Sequence, residues 1–428
     1  MKSYIEACKQ IENLGKEYKK KFQAQCRENN RAQPEGKSSL DFDVERLELV
    51  ECNKRVLAED VVTPIASPPF TNSAMDGFAV VYLEAQSSES LFVGETIFAK
   101  PLEQMPAKRK GFCVPIMTGA PVPSWADTVV PVENCQIFPK NSSDEHDRVV
   151  FNSLPEAGSH IRRQAEDVAE GSILMRAGTY LDSERVMVAA SFGLDSLKVY
   201  KKPHVGIFTT GDELAMPGDS LRPGEIYNSS RFFLQATFDN LGLIPDFNRV
   251  LRDSPETAVE EVETFLKSTE QDASLIVTTG AVSAGEKDFV PNLALDLGFD
   301  VVFHKVAIRP GKPIFFAQKE NKLWVGLAGN AVSTMVGFHF FLRPILDAFF
   351  SIKDNSYSQV VLANEVKKPE HLRCFYRALV NFNDGSAHVY SKQGSASVEA
   401  STQANAYVVL PEGASVFEPG IILRAKLL

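Results

Sequence analysis

Cysteine is scarce in this sequence, and the cysteines present do not cluster. The 428 residues hold six cysteines, and no two of them form a Cys-x-x-Cys pair. This spacing argues against a structural zinc site and against a disulfide framework. The seven histidines also lack the spacing of metal ligands, so we interpret them as structural residues. The sequence shows no Ser-His-Asp order and no nucleophile elbow of the kind that serine hydrolases carry.

Long apolar runs and an excess of positive charge are absent as well. No window holds the ~18 uninterrupted apolar residues that span a bilayer, and residues 1–8 carry acidic and polar groups where a secretory signal is apolar. We therefore expect no membrane span and no export, and a cytoplasmic location. The formal net charge of -10 would repel a phosphate backbone, so nucleic acid is not an expected partner.

The length and composition predict a globular protein of several domains. Hydrophobic residues make up 44% of the chain and charged residues 23%, which is typical of globular proteins. At ~100–200 residues per domain, the chain should form about two to four domains.

The local patterns change along the chain. Residues 4–28 carry a helical apolar stripe followed by a polar stretch through Ser39, whereas residues 78–151 form short β-rich segments between prolines and glycines. From His204 onward strands and helices alternate, which predicts a parallel α/β sheet with right-handed crossovers. Residues 354–428 return to short strands and predict a separate β domain. The predicted elements of the α/β sheet are the strands Val205–Phe208, Phe247–Val250, Leu275–Thr278, Asp300–Val306 and Leu323–Leu327, and the helices Ser229–Leu241, Pro255–Lys267 and Val332–Phe350.

The predicted strand over 275–278 runs into a loop of small residues that is suited to hold an anion. Gly280 and Gly285 allow backbone N–H groups to turn toward a ligand, and Ser283 adds a neutral donor. Asp288 follows where a cation or a ligand hydroxyl could be held. The same pattern also fits an ordinary strand-to-helix turn.

Three further loops follow predicted strands, and in such a sheet these loops converge beyond the carboxyl ends of the strands. They span residues 209–214, 305–313 and 327–333. Lys305, Arg309 and Lys312 supply cations, and Ser283 and Ser333 supply hydroxyls near helix starts. Together these groups predict an oxyanion or phosphate ligand. Each cation taken alone would also fit a surface charge.

Acidic residues also fall at the predicted strand ends. Around an anion, carboxylates are poor direct partners but good ligands for a bridging Mg²⁺. Asp212, Glu213, Asp253 and Asp288 therefore predict a metal bridge. Asp253 could instead cap the helix over 255–267, and Asp212 could stabilise its own turn.

Seven motifs follow one another in a fixed order along the chain. They are Ser67–Ala79, Met117–Pro123, Arg162–Asp167, Thr209–Leu214, Thr279–Phe289, Arg309–Pro313 and Gly326–Ser333. In order and spacing, from about residue 40 to the end, they resemble the molybdopterin molybdenumtransferase (MoeA) family, including its gephyrin E-domain-like members. The charge cluster in the Arg162–Asp167 motif would otherwise be interpreted as salt bridges.

The resemblance implies an α/β multidomain protein in four parts that forms a homodimer. The implied parts are an elongated N-terminal helical/β domain (1–66 and 152–201, with 1–39 as an extension), a small β-rich domain (67–151), a parallel α/β three-layer molybdopterin-binding domain (202–353) and a C-terminal β-barrel-like domain (354–428). In the implied homodimer, the molybdopterin-binding domain of one subunit faces the first two domains of its mate. A molybdopterin adenylyltransferase or an acceptor molybdoenzyme is a further implied partner.

The implied reaction transfers molybdate onto the dithiolene of adenylylated molybdopterin, releases AMP and needs a divalent cation such as Mg²⁺. By motif, the implied catalytic residues are Asp76, Thr118, Asp167, Glu213, Asp253 and Asp288, with Asp253 and Asp288 as metal ligands. The implied substrate-binding residues are Gly211, Asp212, Gly280, Ser283, Gly285, Lys305, Arg309, Lys312, Gly329, Asn330 and Ser333.

The chain departs from the family pattern at several positions. Ala328 and Ala331 replace the prolines of a Pro-Gly-Asn-Pro turn, which removes two φ constraints from a loop that should frame the ligand. The other departures are Ala281, Thr71, Ala165, Asn228 and Ser230. None of the implied catalytic acids is lost, so we favour an active enzyme.

Two other functions fit parts of the sequence. A scaffold that keeps the fold without turnover is favoured by Ala328 and Ala331. A hydrolase of nucleotide-like pyrophosphates could use the same α/β domain, but it would not need the motifs between residues 40 and 200.

Overall fold

The computed structural model describes residues 1–14, 44–140, 145–252, 254–269, 274–283, 289–350, 352 and 356–428. The chain forms two compact units. The first unit comprises Met1–Glu59, Ala177–Val186 and Ser196–Leu428, and the second comprises Asp60–Arg176 and Met187–Asp195. The four-part division by residue number that the family resemblance implies stays a prediction. Among the described residues, we find no helix that has both the length and the apolar character to cross a membrane.

The first unit is built around a six-stranded sheet. Its strands are β1 (His204–Thr210), β2 (Phe247–Leu251), β3 (Ser274–Thr279), β4 (Asp300–His304), β5 (Phe315–Lys319) and β6 (Lys322–Leu327). They lie in the order β2-β1-β3-β6-β5-β4. The pairs β2–β1, β1–β3 and β3–β6 are parallel, whereas β5 runs antiparallel to both of its neighbours. The predicted α/β sheet is confirmed, and β5 is a strand that the sequence analysis did not predict.

Helices cover both faces of this sheet and make three layers. They are α1 (Ser229–Asn240), α2 (Pro255–Ser268), α3 (Val290–Asp296), α4 (Ala331–Gly337), a π-helical turn (Phe338–Leu342) and α5 (Arg343–Phe349). Buried side chains of α1, α4 and α5 pack on one face together with Ala7, Ile11 and Leu14. Side chains of α2 and α3 pack on the other face around Phe208 and Trp324. Residues 4–14 are helical as predicted, and the remainder of the predicted 4–28 helix lies outside the described residues.

The first unit also contains a closed β-barrel. Its strands, in order round the barrel, are Arg373–Val380, Ser386–Val389, Tyr357–Leu362, Ile422–Leu427 and Ala406–Leu410, the last of which pairs again with the first. Ile308–Arg309, which belongs to the loop after β4, adds a short parallel strand to Arg373–Cys374. Smaller pairs of this unit are Val44–Glu48 with Ser196–Tyr200, Arg55–Val56 with Tyr180–Leu181, Leu214–Ala215 with Ile226–Tyr227, and Val366–Lys367 with Val416–Phe417.

The second unit is rich in β structure. Its main sheet has the order Thr128–Pro131, Gly77–Val80, Phe112–Ile116, Leu91–Val93, Arg148–Phe151 and Cys135–Phe138. Two small pairs join Asn72–Ser73 to Ile161–Arg162 and Val61–Val62 to Ile173–Met175. Gly77 has no room for a side chain, because a Cβ atom there would lie 2.1 Å from the carbonyl oxygen of Val130. In the described part of the chain, the remaining helices are Tyr82–Ser87 and Ser183–Ser191, and the 3₁₀ turns are Leu49–Glu51, Val132–Asn134 and Glu399–Thr402.

Candidate functional site

The loops at the carboxyl ends of β1, β3 and β6 converge on one cleft of the first unit. The cleft has a volume of about 640 Å³. Its lining residues from these loops are Thr210, Gly211, Glu213 and Leu214 after β1, Thr279, Gly280, Ala281, Val282 and Ser283 after β3, and Ala328, Gly329, Asn330 and Ala331 after β6. The residues Ile226–Ser230, Pro313, Ala396 and Val398 complete the lining. The structure thus brings together the predicted residues Gly211, Glu213, Gly280, Ser283, Gly329 and Asn330.

Glycine residues allow the backbones of the cleft loops to contact each other directly. Gly280 has φ +88°, and a Cβ atom there would lie 2.5 Å from Oγ1 of Thr210. A Cβ atom on Gly329 would lie 3.3 Å from the Cα of Gly280. The N–H of Gly280 donates to the carbonyl oxygen of Leu327 at 2.9 Å. Larger residues at these positions would separate the loops that form the floor of the cleft.

Hydrogen bonds between buried polar side chains hold the loops of the cleft in place. Asn228 is the N-cap of α1, where its side chain accepts from the N–H of Arg231 at 3.2 Å and donates to Oγ1 of Thr209 at 2.7 Å. The hydroxyl of Ser230 lies 3.1 Å from that of Thr334, which donates to the carbonyl oxygen of Ala328 at 2.9 Å. In the sequence, Asn228 and Ser230 stand out only as departures from the family pattern, although an Asn before a predicted helix is an N-cap signal.

A loop of the barrel domain forms one edge of the cleft, and the sequence analysis missed it. Nδ2 of Asn330 donates to Oγ of Ser395 at 3.2 Å, and the N–H of Val332 donates to the Ser395 carbonyl oxygen at 3.2 Å. Arg377, only 1% exposed, holds this loop by donating to the carbonyl oxygens of Lys392 at 3.0 Å and Gly394 at 3.3 Å. The available signal was an arginine in the middle of an otherwise apolar stretch of strand, since a buried guanidinium needs partners.

The two acids after β1 differ in position. The carboxylate of Glu213 lies against Gly211. A Cβ atom on Gly211 would lie 2.5 Å from Oε2 of Glu213. Glu213 also lines the cleft. Asp212 lies 3.9 Å from the guanidinium of Arg252, and both side chains are more than half exposed. Such an exposed pair stabilises the fold by at most about 1 kcal/mol.

The structure does not bring the three predicted cations into the cleft lining. Of their loop, only Pro313 lines the cleft. Arg309 instead lines a second cavity of about 610 Å³ in the first unit, together with Lys367, Lys368 and Tyr376. Ile308–Arg309 pairs with the barrel strand Arg373–Cys374. For this reason its side chains do not lie at the carboxyl ends of the sheet strands.

Lys305, Lys312 and Ser333 also lie away from the cleft lining. Lys305 is half-buried with φ +67°, and Lys312 is exposed. Ser333 is 3% exposed within α4.

The predicted metal ligands Asp253 and Asp288, and Gly285, lie outside the described residues. Within the described residues, no group of three or more His, Cys, Asp or Glu side chains could hold a metal ion. Among the described residues that line the cleft, Glu213 supplies the one carboxylate. Mg²⁺ commonly uses one or two carboxylates together with phosphate oxygens and water. A single carboxylate at the cleft is compatible with a Mg²⁺ ion that phosphate oxygens and water also ligate.

The three predicted catalytic residues of the second unit have local partners. Oδ1 of Asp76 accepts from the N–H of Thr118 at 2.6 Å and from its hydroxyl at 2.8 Å. These bonds, the backbone one first, lower the pKa of Asp76. Oγ of Ser67 donates to Oδ2 of Asp167 at 3.4 Å.

Asp167 belongs to a cavity of about 490 Å³ within the second unit. The lining residues are Ser67, Pro68, Asn72, Arg162, Glu166 and Asp167. Oδ1 of Asn72 is buried and has no hydrogen-bond partner among the described residues. A buried acceptor without a partner is costly. The charged residues of the cavity, Arg162, Glu166 and Asp167, are exposed and accessible to a ligand.

Three family models match successive parts of the sequence. They are the MoeA N-terminal region (domain I and II) at residues 22–193, the probable molybdopterin binding domain at 206–348 and the MoeA C-terminal region (domain IV) at 359–425. The strand-end loops of the cleft fall within the second match. The α/β part therefore belongs to the class of probable molybdopterin-binding domains.

Relatives and solved structures match most of the chain. A molybdopterin molybdenumtransferase of Synechococcus elongatus is 35% identical over 399 residues, covering 91% of this chain and 96% of the relative. One of Haemophilus influenzae is 33% identical over 383 residues, covering 86% and 90%. The crystal structure of a molybdopterin biosynthesis MoeA protein from Pyrococcus horikoshii has a TM-score of 0.71 at 25% identity, covering 91% of this chain and 95% of that one. The chain belongs to the molybdopterin molybdenumtransferase (MoeA) family, whose curated members are named as transferases, and the predicted resemblance is confirmed.

Proposed function

We propose that this protein completes molybdenum cofactor biosynthesis by transferring molybdate onto the dithiolene of adenylylated molybdopterin, with release of AMP. The observation that carries the proposal is the cleft of about 640 Å³ formed by the loops after β1, β3 and β6. Those loops carry the motifs that relate the chain to molybdopterin molybdenumtransferases. Their glycines and hydroxyls supply donors suited to the charged ends of such a substrate.

Within this proposal, the cleft binds the adenylylated molybdopterin through Gly211, Gly280, Ser283 and Asn330. Ser283 offers its hydroxyl to the ligand, while Gly280 keeps the loop backbone close to it. Asp212 and Gly329 fix the shape of the same loops. Glu213 orients water or phosphate at the rim of the cleft.

The incoming molybdate would first be held by the cations of the loop after β4 and would then move to the dithiolene in the cleft. Arg309 is exposed in the second cavity, whereas Nζ of Lys368 beside it already donates to carbonyl oxygens of Pro369 at 2.9 Å and Leu372 at 2.8 Å. Arg309 therefore supplies the donors for an oxyanion there. Lys305, Lys312, Ser333 and Gly285 are proposed as further anion-binding positions.

We propose Mg²⁺ as the cation, with Asp253 and Asp288 as its protein ligands. Bound there, it would offset the charge of the phosphoanhydride. We also propose a cytoplasmic homodimer in which Asp76, Thr118 and Asp167 of one subunit act at the cleft of its mate. An adenylyltransferase that supplies the substrate, or a molybdoenzyme that receives the product, would be a further partner.

Purified protein incubated with adenylylated molybdopterin, molybdate and Mg²⁺ tests the proposal. We expect AMP release that depends on molybdate and stops when a chelator removes the cation. An Asp288→Asn variant should bind substrate but turn over slowly. Cleavage of common nucleotides without molybdate would instead identify a pyrophosphate hydrolase.

A catalytically impaired scaffold is the second candidate, because Ala328 and Ala331 replace two prolines of the cleft loop. Two contacts argue against a loose loop. Gly329 packs against Gly280, and Asn330 donates to Ser395. Binding of adenylylated molybdopterin without any AMP release would support the scaffold and remove the enzyme proposal.

A further inference from the structure

The backbone of Lys2 is hydrogen-bonded to the loop that follows β4. The N–H of Lys2 donates to the carbonyl oxygen of Lys305 at 3.1 Å, and the N–H of Ala307 donates to the carbonyl oxygen of Lys2 at 2.9 Å. These two bonds make a parallel bridge between Lys2 and Val306. On its other side, the carbonyl oxygen of Ala307 accepts from the N–H of Arg373 at 3.2 Å. The loop therefore lies as a middle strand between residue 2 and the barrel.

This loop needs support, because Lys305 has φ +67°. A residue with a side chain rarely adopts that left-handed conformation unless its surroundings hold it there. The N–H of Lys305 donates to the carbonyl oxygen of Ile314 at 2.9 Å, and its own carbonyl oxygen accepts from Lys2. The N–H of Ala307 would lose its acceptor if the segment around Lys2 moved away.

The segment around Lys2 is itself well anchored. The ring of Tyr4 lies 5.7 Å from that of Phe341 and 5.3 Å from that of Phe375, and the guanidinium of Arg373 lies 4.7 Å above it. Nζ of Lys2 donates to Oε1 of Gln10 at 2.6 Å. Edge-on ring contacts and a cation over a ring each add to the stability of such a contact. We call residues 2–4 the clasp.

We propose that the clasp positions the loop carrying Lys305, Arg309 and Lys312 for anion binding. The proposal rests on the proposed function, since it takes these cations to bind molybdate. Lys2 acts through the loop and is a positioning residue. When the clasp holds the loop backbone, the cations are fixed before the anion arrives, and binding does not have to order them. Without the clasp, the same side chains remain but the loop samples other conformations.

Two substitutions of Lys2 separate the contribution of its backbone hydrogen bond from that of its side chain. Lys2→Pro removes the N–H that donates to Lys305, whereas Lys2→Ala keeps it and loses only the contacts of Nζ. In the full chain, we expect Lys2→Pro to raise the KM for molybdate about 5-fold to 10-fold with kcat within about twofold, as for lost preorganisation. Lys2→Ala should stay within about twofold of the parent chain in both constants.

Hydrogen exchange provides a readout that does not depend on activity. In Lys2→Pro the amides of Lys305 and Ala307 should exchange at least about tenfold faster, because local opening becomes easier. In Lys2→Ala their exchange should be unchanged. If Lys2→Pro does not fold, Tyr4→Ala compared with Tyr4→Phe makes the same test, because phenylalanine keeps the ring contacts.

The outcomes distinguish this inference from the proposed function. Unchanged amide exchange in both Lys2→Pro and Tyr4→Ala would overturn the clasp. Faster exchange with an unchanged KM for molybdate would overturn its role in positioning the cations. If the parent chain releases no AMP, the proposed function fails, and faster exchange together with weaker binding of inorganic molybdate would still support the clasp.

Discussion

A single carboxylate oxygen of Asp76 accepts both hydrogen bonds that Thr118 can donate, at 2.6 Å from its N–H and 2.8 Å from its hydroxyl. The two residues stand in separate motifs of the second unit, on loops that meet beside the strand Gly77–Val80. Hydrogen bonds to a carboxylate favour its charged form. The pair thus holds Asp76 ionised and fixes its direction.

Thr118→Val should raise the pKa of Asp76 toward the ordinary range of an aspartate, although not fully, because the larger contribution comes from the backbone N–H that remains. A carboxyl whose pKa is lowered in the folded state stabilises the fold above its unfolded pKa, and this stabilisation is lost as pH falls through the folded pKa. The stability deficit of Thr118→Val should therefore appear near neutral pH and shrink in acid. NMR titration of the Asp76 carboxyl checks the shift, with Thr118→Ser as the control that keeps both bonds. An unchanged titration in Thr118→Val would contradict the assignment.

Gly280→Ala should destabilise the protein by more than the cost of placing an alanine in a left-handed backbone conformation. Gly385 is a matched control, since its φ is +71° and a Cβ atom there would meet nothing within 4 Å. Gly385→Ala should destabilise the protein by about 1 kcal/mol for the left-handed backbone. Gly280→Ala adds contacts of 2.5 Å and 3.0 Å with Thr210, and the forced backbone shift should cost a further ~1–3 kcal/mol.

Urea unfolding and calorimetric titration with AMP provide the comparison for these two variants. AMP binding should weaken at least about tenfold in Gly280→Ala, which corresponds to about 1.4 kcal/mol, and should not change in Gly385→Ala. Equal unfolding free energies for the two variants would show that the close approach of Gly280 to Thr210 carries no cost.

The parts of this site that could be predicted from sequence are those that parallel strands dictate. Gly211, Ser283 and Asn330 each follow an apolar strand, and the carboxyl ends of parallel strands meet at one edge of a sheet. Ser395 was not predictable in this way. It reaches Asn330 across 65 residues of sequence, and no local pattern encodes a contact between separately folded elements.

The position of Arg309 shows a second limit of sequence reasoning. Its loop follows β4, so the strand order in the sequence predicts that it joins the same cleft. The chain instead forms two residues of strand with Arg373–Cys374, and this pairing directs Arg309 into the second cavity. The strand β5 was missed for a related reason, because the short apolar run 314–317 fits a buried strand and a helix segment equally well.

His339 should make the protein less stable in weak acid. Burial, with Lys426 and Arg343 as neighbouring cations, lowers the pKa of His339 to about 4. Its ring also lies against Phe233 and Tyr407. The unfolded chain then binds a proton that the folded chain does not between the ordinary pKa of 6.5 and about 4. Stability is full above that range and falls as the pH is lowered through it, by roughly 3 kcal/mol from this residue.

The substitution His339→Phe keeps a ring in the cluster and removes the titration. Its unfolding free energy should fall less than that of the parent chain between pH 7 and pH 4. At pH 8 His339 is neutral in both the folded and the unfolded chain, so the difference in unfolding free energy between parent and variant reflects packing alone. This difference is subtracted from the differences at lower pH. Parallel pH profiles for the two chains would exclude His339 as the source.

Ala331→Pro should be tolerated and should stabilise the cleft loop, although Ala331 lies in a helix. It is the first residue of α4, where a missing N–H leaves no helical hydrogen bond unmade. The preceding residue, Asn330, already has φ -62° and ψ 128°, which is the conformation that a following proline requires. Proline at such a position should stabilise the fold by about 0.4–1 kcal/mol, chiefly by restricting the unfolded chain. Ala331→Gly, which gives the unfolded chain more freedom, should shift stability in the opposite direction.

Thermal unfolding and the rate of AMP release decide what this proline means for function. If the loop is already held by Asn330 and Ser395, Ala331→Pro should raise the unfolding temperature and leave AMP release within about twofold. A large gain in AMP release would instead show that the parent loop is too loose for catalysis, which is what the scaffold candidate requires. A loss of stability would contradict the expectation that the first position of α4 accepts a proline.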